Sequence, residues 1–286
     1  MTARTLRSGG WLLAAWLLAS PAAAAEEARY PGNLDVPYVP TQPATVEAML
    51  RIAGVGAGDF VIDLGSGDGR ILITAVKKYG ARGFGVDLDP QRVKESVANA
   101  KLAGVSDRAQ FYQRNLFDTK IAEATVVTLY LLPQLVEKLK PRLLAQLAPG
   151  SRIVAHDFGF KDWTPDRTVN ISKNYYLYVV PARVAGKWRL EAELPGGARS
   201  YDFELAQANQ RVRGGARVAG GYLPAFEAKL AGDRIAFVLV ENDTSHYFEG
   251  RVNGAEITGT VRSGPGRERA TTRWRATRVT GVPDEG

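Results

Sequence analysis

The chain contains no cysteine among its 286 residues, and it contains only two histidines, His156 and His246. Without cysteine it can form no disulfide framework, no thiolate nucleophile and no cysteine-ligated zinc site. Two histidines so far apart in the sequence also disfavour a serine–histidine–aspartate triad and a multi-histidine metal site. We therefore expect no metal centre, and a lone histidine is more often structural than catalytic.

Long runs of basic residues are missing as well. The net charge is +7, but the lysines and arginines are scattered among aspartates and glutamates. Nucleic-acid-binding proteins typically carry a basic patch or stripe, so the sequence gives no support for a nucleic-acid partner. A mildly basic surface suits an acidic partner or anionic lipid, although a solvated surface is the simplest interpretation.

The first 25 residues have the pattern of a secretory signal peptide. Two arginines precede the apolar stretch GGWLLAAWLLAS, and Ala23 and Ala25 stand at positions −3 and −1 before Glu26. The apolar stretch is short for a transmembrane helix, which needs about 20 residues. We therefore expect a signal peptide at residues 1–25 and an exported, periplasmic protein. An uncleaved inner-membrane anchor is the alternative, and it also places the rest of the chain outside the cytoplasm.

Residues 26–181 alternate between strand-like and helix-like segments. The strands are predicted at 60–64, 82–88, 109–113, 124–132 and 151–158, and the helices at 70–79, 90–104 and 133–150. Two more strand segments, RTVNI and YYLYVV, follow without a helix between them. This order predicts an α/β Rossmann-like domain whose doubly wound sheet ends in an antiparallel pair.

Residues 182–280 contain no convincing helix. About eight short strands, separated by turn signals such as Asn253-Gly254, predict an antiparallel β barrel or sandwich. The opening Gly186-Lys187-Trp188, with Trp274 near the end, resembles a lipocalin- or avidin-type barrel. Residues 281–286 are predicted to form a disordered tail.

The segment VIDLGSGDGR, at residues 61–70, follows a predicted strand and opens a predicted helix. Glycines let a backbone turn sharply and approach a ligand closely. The glycines of this loop are Gly65, Gly67 and Gly69. Their spacing departs from the G-x-G-x-x-G pattern of dinucleotide-binding loops, because Arg70 stands at the sixth position.

The charge of the same loop favours a cationic cofactor. Asp68 lies inside the loop and Asp63 lies just before it. A carboxylate there would repel a pyrophosphate. It would attract the sulfonium and ammonium groups of S-adenosylmethionine, so this cofactor is favoured over NAD.

Two further motifs follow the next two predicted strands. In GVDLDP, Asp87 can accept hydrogen bonds from both hydroxyls of a ribose. In FYQRNLFD, Asn115 is placed to bond the exocyclic amine of adenine, with Leu116 or Phe117 covering the ring. The predicted cofactor-binding residues are Asp63, Gly65, Ser66, Gly67, Asp68, Gly69, Asp87, Asn115 and Leu116.

Residues 36–160 resemble class I, seven-stranded S-adenosylmethionine-dependent methyltransferases, in particular the small protein-lysine methyltransferases of archaea and mitochondria. That group combines a Pro-Tyr-Val-Pro-Thr segment, here at residues 37–41, with the loop DLGSGDGR, an acidic residue at the second strand and an F-x-x-x-[DN]-L element. All four are present. The family more often has Glu at the position of Asp87 and Asp at the position of Asn115. HDFGFKDW, at residues 156–163, matches a further stretch less specifically.

The resemblance covers about half of the chain and does not include the β domain or the N-terminal segment. It implies methyl transfer to a lysine side chain of a partner protein. The candidate catalytic residues are Tyr38, Thr41 and Tyr130, with Asp157 as a secondary candidate. The Tyr38 hydroxyl can orient the amine while its ring holds the ammonium. Thr41 is expected to cap the next helix and touch the cofactor.

Tyr130 lies near the substrate entrance by its position in TLYLLP. Methylases of adenine or glutamine usually have an Asn/Asp-Pro-Pro-aromatic motif there, and its absence disfavours those substrates.

Two other functions stay open. One is an exported, non-catalytic binding protein that keeps the methyltransferase fold and uses a lipocalin-like β domain for a ligand, an envelope partner or a membrane surface. The other is aminopropyl transfer, which normally requires more clustered acidic residues. An exported methyltransferase also raises a question of supply, because S-adenosylmethionine is made in the cytosol.

Overall fold

The computed structural model describes residues 40–170, 173–264 and 270–279. The predicted signal peptide, the predicted tail and Tyr38 lie outside the described residues. The described residues all belong to one compact unit, residues 35–286, and they contain two β-sheets. No helix within these ranges has the length and apolar character needed to cross a membrane.

The first sheet has seven strands in the order β3-β2-β1-β4-β5-β7-β6. Its elements are α1 Pro43–Ile52, β1 Phe60–Leu64, α2 Arg70–Tyr79, β2 Arg82–Asp87, α3 Pro90–Leu102, β3 Ala109–Gln113, β4 Val126–Leu129, α4 Pro133–Gln146, β5 Arg152–His156, β6 Arg167–Asn170 and β7 Asn174–Val179. Strands β1 to β5 are parallel, and β7 runs antiparallel to both of its neighbours. The predicted doubly wound sheet with an antiparallel pair is confirmed.

The order of the strands changes direction at β1. Strands β2 and β3 lie on one side of β1, whereas β4 and β5 lie on its other side. Strand β1 pairs with β2 on one side and with β4 on the other. In open α/β sheets, ligands bind at the carboxyl ends of the strands at such a switch point. The segment that follows β1 is therefore at the expected ligand-binding edge.

Helix α2 shows why the sequence folds as it does beside that edge. It begins directly after Gly69, and its apolar positions Ile71, Leu72, Ala75 and Val76 are buried. It ends at Gly80, which adopts the left-handed conformation that commonly terminates helices. The boundaries predicted from the sequence for this helix are confirmed.

The predicted cap of helix α1 is wrong. The helix begins at Pro43, and the residue before it is Gln42 rather than Thr41, with no side-chain hydrogen bond at the cap. Proline has a fixed φ and no N–H, so it starts a helix without needing a capping side chain. Thr41 is instead buried, and its carbonyl accepts a hydrogen bond from Arg70 Nη1 at 2.7 Å.

Several predicted boundaries extend too far. The strand predicted at 124–132 is shorter, Val126–Leu129, and the helix predicted at 133–150 ends at Gln146. The helix stops because Leu147 is already extended, with ψ of 140°.

The second sheet has nine antiparallel strands in the order β11-β10-β9-β8-β16-β15-β14-β13-β12. They are β8 Gly186–Leu194, β9 Gly197–Ala208, β10 Arg211–Val218, β11 Gly221–Pro224, β12 Phe226–Ala231, β13 Arg234–Glu241, β14 Thr244–Asn253, β15 Glu256–Ser263 and β16 Ala270–Arg278. Strand β10 approaches β12, and β11 approaches β13, so the sheet nearly closes. The predicted barrel-like domain is confirmed.

One segment predicted as a single strand, YLPAFEAKL, forms two strands, β11 and β12. Pro224 ends the first, Glu227 adopts a left-handed φ of 51°, and the register shifts between Phe226 and Lys229. Proline cannot donate to a ladder, so the pairing breaks there. This split accounts for the difference from the predicted count of about eight strands.

The inward side chains of the second sheet form an aromatic core. The ring of Phe237 stacks on Phe203 at 4.9 Å and on Phe248 at 4.8 Å, while Trp274 packs against Phe237 edge-on at 5.6 Å. Trp188 is also buried and donates its indole N–H to Val184 O at 2.9 Å. The alternation of buried and exposed residues along β8 places such side chains inside.

The β9–β10 turn of the second sheet contacts the loop that follows β5. Asn209 Nδ2 donates to Asp162 O at 2.9 Å, and Gln210 Nε2 donates to Thr164 O at 2.5 Å. The chain passes from the last strand of the first sheet to the first strand of the second between Val179 and Gly186. The domain limits 26–181 and 182–280 stay a prediction.

Candidate active site

The loop after β1 is fixed to the end of β2. The backbone N–H groups of Gly65 and Ser66 both donate to Val86 O at 2.9 Å. The loop glycines Gly65, Gly67 and Gly69 have φ values of 85°, 53° and 83°, which only glycine adopts readily. A Cβ on Gly69 would lie 2.6 Å from Phe111 Cζ. Backbone conformation and space therefore both require glycine here.

Asp87 joins the loop to the second strand. Its Oδ2 accepts a hydrogen bond from Gly67 N at 2.8 Å, and its Oδ1 accepts one from Asp89 N at 3.0 Å. A carboxylate can accept about four hydrogen bonds, so each oxygen keeps capacity for a ligand. The predicted ribose acceptor is thus half-buried and held in one orientation beside the glycine loop.

Asp63 is a buried carboxylate with one oxygen unused. Its side chain is 1% exposed, its Oδ1 accepts from Thr128 Oγ1 at 2.5 Å, and its Oδ2 has no hydrogen-bond partner. Burial raises the pKa of Asp63 to about 7; the Thr128 hydrogen bond opposes this rise, and the charges of Asp87 and Asp68 add to it. Ser66 Oγ is buried without a partner in the same loop. Such atoms are costly in a folded chain and are rare without a function.

Asp68 differs from Asp63 because it is paired within the loop. Its carboxylate accepts from Arg70 Nε at 2.9 Å and from Arg70 Nη2 at 2.6 Å, and its carbonyl accepts from Asn99 Nδ2 at 2.9 Å. The charge of Asp68 is therefore balanced by Arg70. The predicted preference of this loop for a cation therefore depends on Asp63 and Asp87 and not on Asp68.

Asn115 shapes the turn after β3. Its Oδ1 accepts a hydrogen bond from Phe117 N at 2.9 Å, and its backbone carbonyl accepts one from Thr119 Oγ1 at 2.9 Å. Leu116 is half-buried beside it. The contact of Asn115 and Leu116 with adenine stays a prediction.

On the other side of the loop, Tyr130 belongs to a column of rings. The register of β1 and β4 pairs Leu64 with Leu129, so Tyr130 follows at the level of the loop. Its ring centroid lies 4.0 Å from that of His156, which stacks on Tyr175 at 5.3 Å. Tyr175 Oη forms a hydrogen bond with Thr45 Oγ1 of α1 at 3.0 Å. The column thus runs from the end of β4 to helix α1.

His156 is buried in the middle of this column. Neither of its ring nitrogens has a hydrogen-bond partner. Burial lowers the pKa of His156 to about 4, with nearby Lys173 adding to the decrease and Asp157 opposing it. The imidazole is therefore neutral near pH 7.

Sequence reasoning missed several of these partners. Thr128 could have been found, because it is the polar residue of the apolar strand VVTL and β4 lies beside β1 in register with Asp63. The stacking of His156 between Tyr130 and Tyr175 could not, because it depends on how β5 pairs with β7. Tyr38 lies outside the described residues, so its distance from the loop stays a prediction. In the described ranges, no three His, Asp or Glu side chains are grouped to hold a metal ion.

Comparisons with known proteins identify the family. The model of the ANTKMT methyltransferase domain matches residues 63–167. A protein-lysine N-methyltransferase of Saccharolobus islandicus (strain REY15A) is 44% identical over 151 residues, which are 51% of this chain and 94% of that protein. The chain belongs to this family of methyltransferases.

Other relatives also match about half of the chain. The adenine nucleotide translocase lysine N-methyltransferase of Mus musculus is 32% identical over 137 residues, and the match spans 48% of this chain and 59% of that protein. A crystal structure described as an RNA methyltransferase from Salinibacter ruber with bound S-adenosyl-L-homocysteine is 49% identical, with a TM-score of 0.50. That match covers 51% of this chain and 96% of the other.

The chain is an S-adenosylmethionine-dependent enzyme, and its loop fits this cofactor. Asp63 Oδ2 and Ser66 Oγ are buried polar atoms without a protein partner, so a ligand's donors can satisfy them. The carboxylate of Asp87 is held in one orientation by two backbone donors, as the predicted ribose contact requires, and the glycines permit close approach. The contact of Asp63 with the ammonium group of the cofactor stays a prediction.

The raised pKa of Asp63 predicts a pH dependence of stability. The carboxyl of Asp63 binds its proton more tightly in the folded chain than in the unfolded chain. The free energy of unfolding that it contributes therefore falls as pH rises from 3.8, the ordinary pKa of aspartate, to about 7. Over this range we expect the free energy of unfolding of the unmodified chain in urea to decrease relative to that of Asp63→Asn. The lowered pKa of His156 contributes the opposite trend, and it does so equally in both proteins. The exposed Asp107→Asn variant is the control. If the free energy of unfolding changed with pH in the same way for Asp63→Asn and for the unmodified chain, this account of Asp63 would be contradicted.

Asp87→Ala should abolish cofactor binding. Hydrogen bonds to a charged group contribute about 1.5–3 kcal/mol each, so losing two ribose contacts should weaken binding by at least about a hundredfold. Calorimetry with S-adenosylhomocysteine measures this, with Asp107→Asn again as the control. An affinity within about threefold of the unmodified chain would exclude Asp87 from the cofactor site.

Proposed function

We propose that this enzyme transfers the methyl group of S-adenosylmethionine to the side-chain amine of a lysine on a partner protein. The observation that carries the proposal is the 44% identity across nearly the whole of an archaeal protein-lysine N-methyltransferase. The matched family region, residues 63–167, contains Asp63, Asp87, Tyr130 and His156.

The chemistry requires a neutral, oriented amine beside an electrophilic methyl group, which the cofactor supplies when bound. Lysine has an ordinary pKa of about 10.4, so its ammonium must first lose a proton. Water can accept that proton, and orientation and exclusion of solvent then provide most of the rate. Tyr130, which is half-buried and stacked on the buried His156, offers an aromatic and uncharged surface for this purpose. A neutral His156 does not repel an approaching ammonium.

One alternative acceptor of the methyl group and one alternative role of the protein compete with this proposal. The Salinibacter ruber relative is described as an RNA methyltransferase, so RNA is the alternative acceptor. A ligand-binding role for the second sheet is less well supported, because Phe203, Phe237, Phe248 and Trp274 pack together in its core.

We also propose that the protein acts outside the cytoplasm. The support is the signal-peptide pattern of residues 1–25, which lie outside the described structure. A fusion to alkaline phosphatase, which is active only after export, tests it. A fusion that is inactive although it accumulates would contradict export, and would also remove the question of cofactor supply.

The proposed function predicts the fate of a labelled methyl group. The full chain is incubated with methyl-tritiated S-adenosylmethionine and extracts of cells that lack the gene. We expect label that resists ribonuclease, is removed by protease and is recovered as methyl-lysine after hydrolysis. Asp87→Ala should give no label. Label that is recovered only in RNA, or no label at all, would contradict the proposal.

Tyr38→Phe tests the predicted orienting hydroxyl. A neutral hydrogen bond contributes about 0.5–1.5 kcal/mol, so its loss should lower turnover by about three- to tenfold. Affinity for S-adenosylhomocysteine should stay unchanged, because the hydroxyl is expected to contact the amine and not the cofactor. Unchanged turnover would show that Tyr38 only packs.

A further inference from the structure

A lysine of the chain itself lies at the predicted acceptor side of the site. Asp157 directly follows β5, and its Oδ2 accepts a hydrogen bond from Lys173 Nζ. The pKa of Lys173 is raised, first by its bond to Asp157 and also by Tyr130 and Tyr175. The amine is therefore paired with a carboxylate at this end of the sheet.

We propose that Asp157 receives the ammonium group of the incoming target lysine, and that Lys173 occupies this position until the target displaces it. The inference deepens the proposed function and rests on it. It names Asp157 as a binding residue for the charged form of the acceptor, before that form loses its proton, and Lys173 as an internal competitor.

The first argument is the match between the surroundings of Lys173 and the needs of a target lysine. A lysine arrives charged, and a carboxylate is the partner that compensates its loss of water. Tyrosine rings attract a nearby ammonium, and the neutral His156 between them adds no opposing charge. Lys173 already pairs with the carboxylate of this set.

The second argument is the place of Asp157 in the sheet. The ends of β4 and β5 lie next to each other, with Leu129 paired to Ala155. Tyr130 is the first residue after β4, on the side of the sheet edge where the cofactor loop also begins. Asp157 is the second residue after Ala155 and so lies at the same edge. Strand β7 fixes this end, because Asp157 N donates to Asn174 O at 2.8 Å. The carboxylate is thus positioned at the ligand-binding edge of the sheet.

The backbone of Asp157 supports a positional role. Its φ is 68°, a left-handed conformation that aspartate tolerates better than most residues but that still costs energy. A simple surface ion pair does not require this conformation.

The third argument is that Lys173 is held weakly enough to leave. Its side chain is 48% exposed, whereas that of Asp157 is 21% exposed. Ion pairs with this much exposure contribute little to stability. The target can therefore replace Lys173 at small cost, while Asp157 stays in place.

The test uses the full chain saturated with S-adenosylhomocysteine and Nα-acetyl-lysine methylamide as the probe of the acceptor position. NMR titration gives the dissociation constant of the probe for the unmodified chain, Lys173→Met and Asp157→Asn. Lys78→Met is the matched control, because Lys78 of α2 forms a comparable exposed pair with Glu47 of α1. Unchanged affinity for S-adenosylhomocysteine shows that each variant is folded.

We expect Lys173→Met to bind the probe about two- to fivefold more tightly, the range typical of an exposed ion pair. Asp157→Asn should bind it more weakly than the unmodified chain, and Lys78→Met should match the unmodified chain. Equal or weaker binding by Lys173→Met would overturn the role of Lys173. Undiminished binding by Asp157→Asn would overturn the role of Asp157.

The outcomes separate this inference from the proposed function. If the binding order holds but no lysine receives labelled methyl, the proposed function fails and the lysine-binding position stands. If lysines receive methyl and the binding order is absent, only the present inference fails.

Discussion

The buried carboxylate of Asp63 is the constraint around which this site is arranged. It lies at the centre of the parallel sheet, on the strand where the order of strand addition reverses, and it is almost fully removed from water. Thr128 satisfies one of its oxygens, and the other has no partner in the protein. A fold that keeps such a group accepts a cost in stability, and a cationic ligand at that oxygen would offset it.

The glycine loop and Asp87 follow from the same constraint. The loop must pass close to Asp63 for a ligand to reach it, and only glycine allows the backbone of Gly69 to approach Phe111. Asp87 then fixes the loop through Gly67 N. Its two oxygens are oriented by backbone donors, so they are positioned before any ligand arrives.

Much of the cofactor side of the site could be predicted from the sequence, because the loop and its flanking elements depend on local sequence pattern. The strand before the loop, the loop glycines and helix α2 have the expected boundaries. The cap of α1 was predicted wrongly because Pro43, and not the hydroxyl of Thr41, sets the start of that helix. The charge of Asp68 was overestimated, since Arg70 two residues later neutralises it.

The acceptor side depends instead on long-range pairing that no local pattern reveals. The register of β5 and β7 brings His156 beside Tyr175, and the β9–β10 turn of the second sheet holds the loop after β5 through Asp162 and Thr164. The second sheet thus supports the segment that begins at Asp157. A role for this sheet in supporting the site is consistent with its filled aromatic core.

The most direct measurement of the central claim is calorimetric titration of the full chain with S-adenosylmethionine and with S-adenosylhomocysteine. The account predicts saturable one-to-one binding of both ligands. It also predicts that binding weakens below the pKa of Asp63, near pH 7, because a protonated carboxyl attracts the ligand's ammonium group less strongly. Absence of binding at millimolar ligand would contradict the assignment of this site to the cofactor.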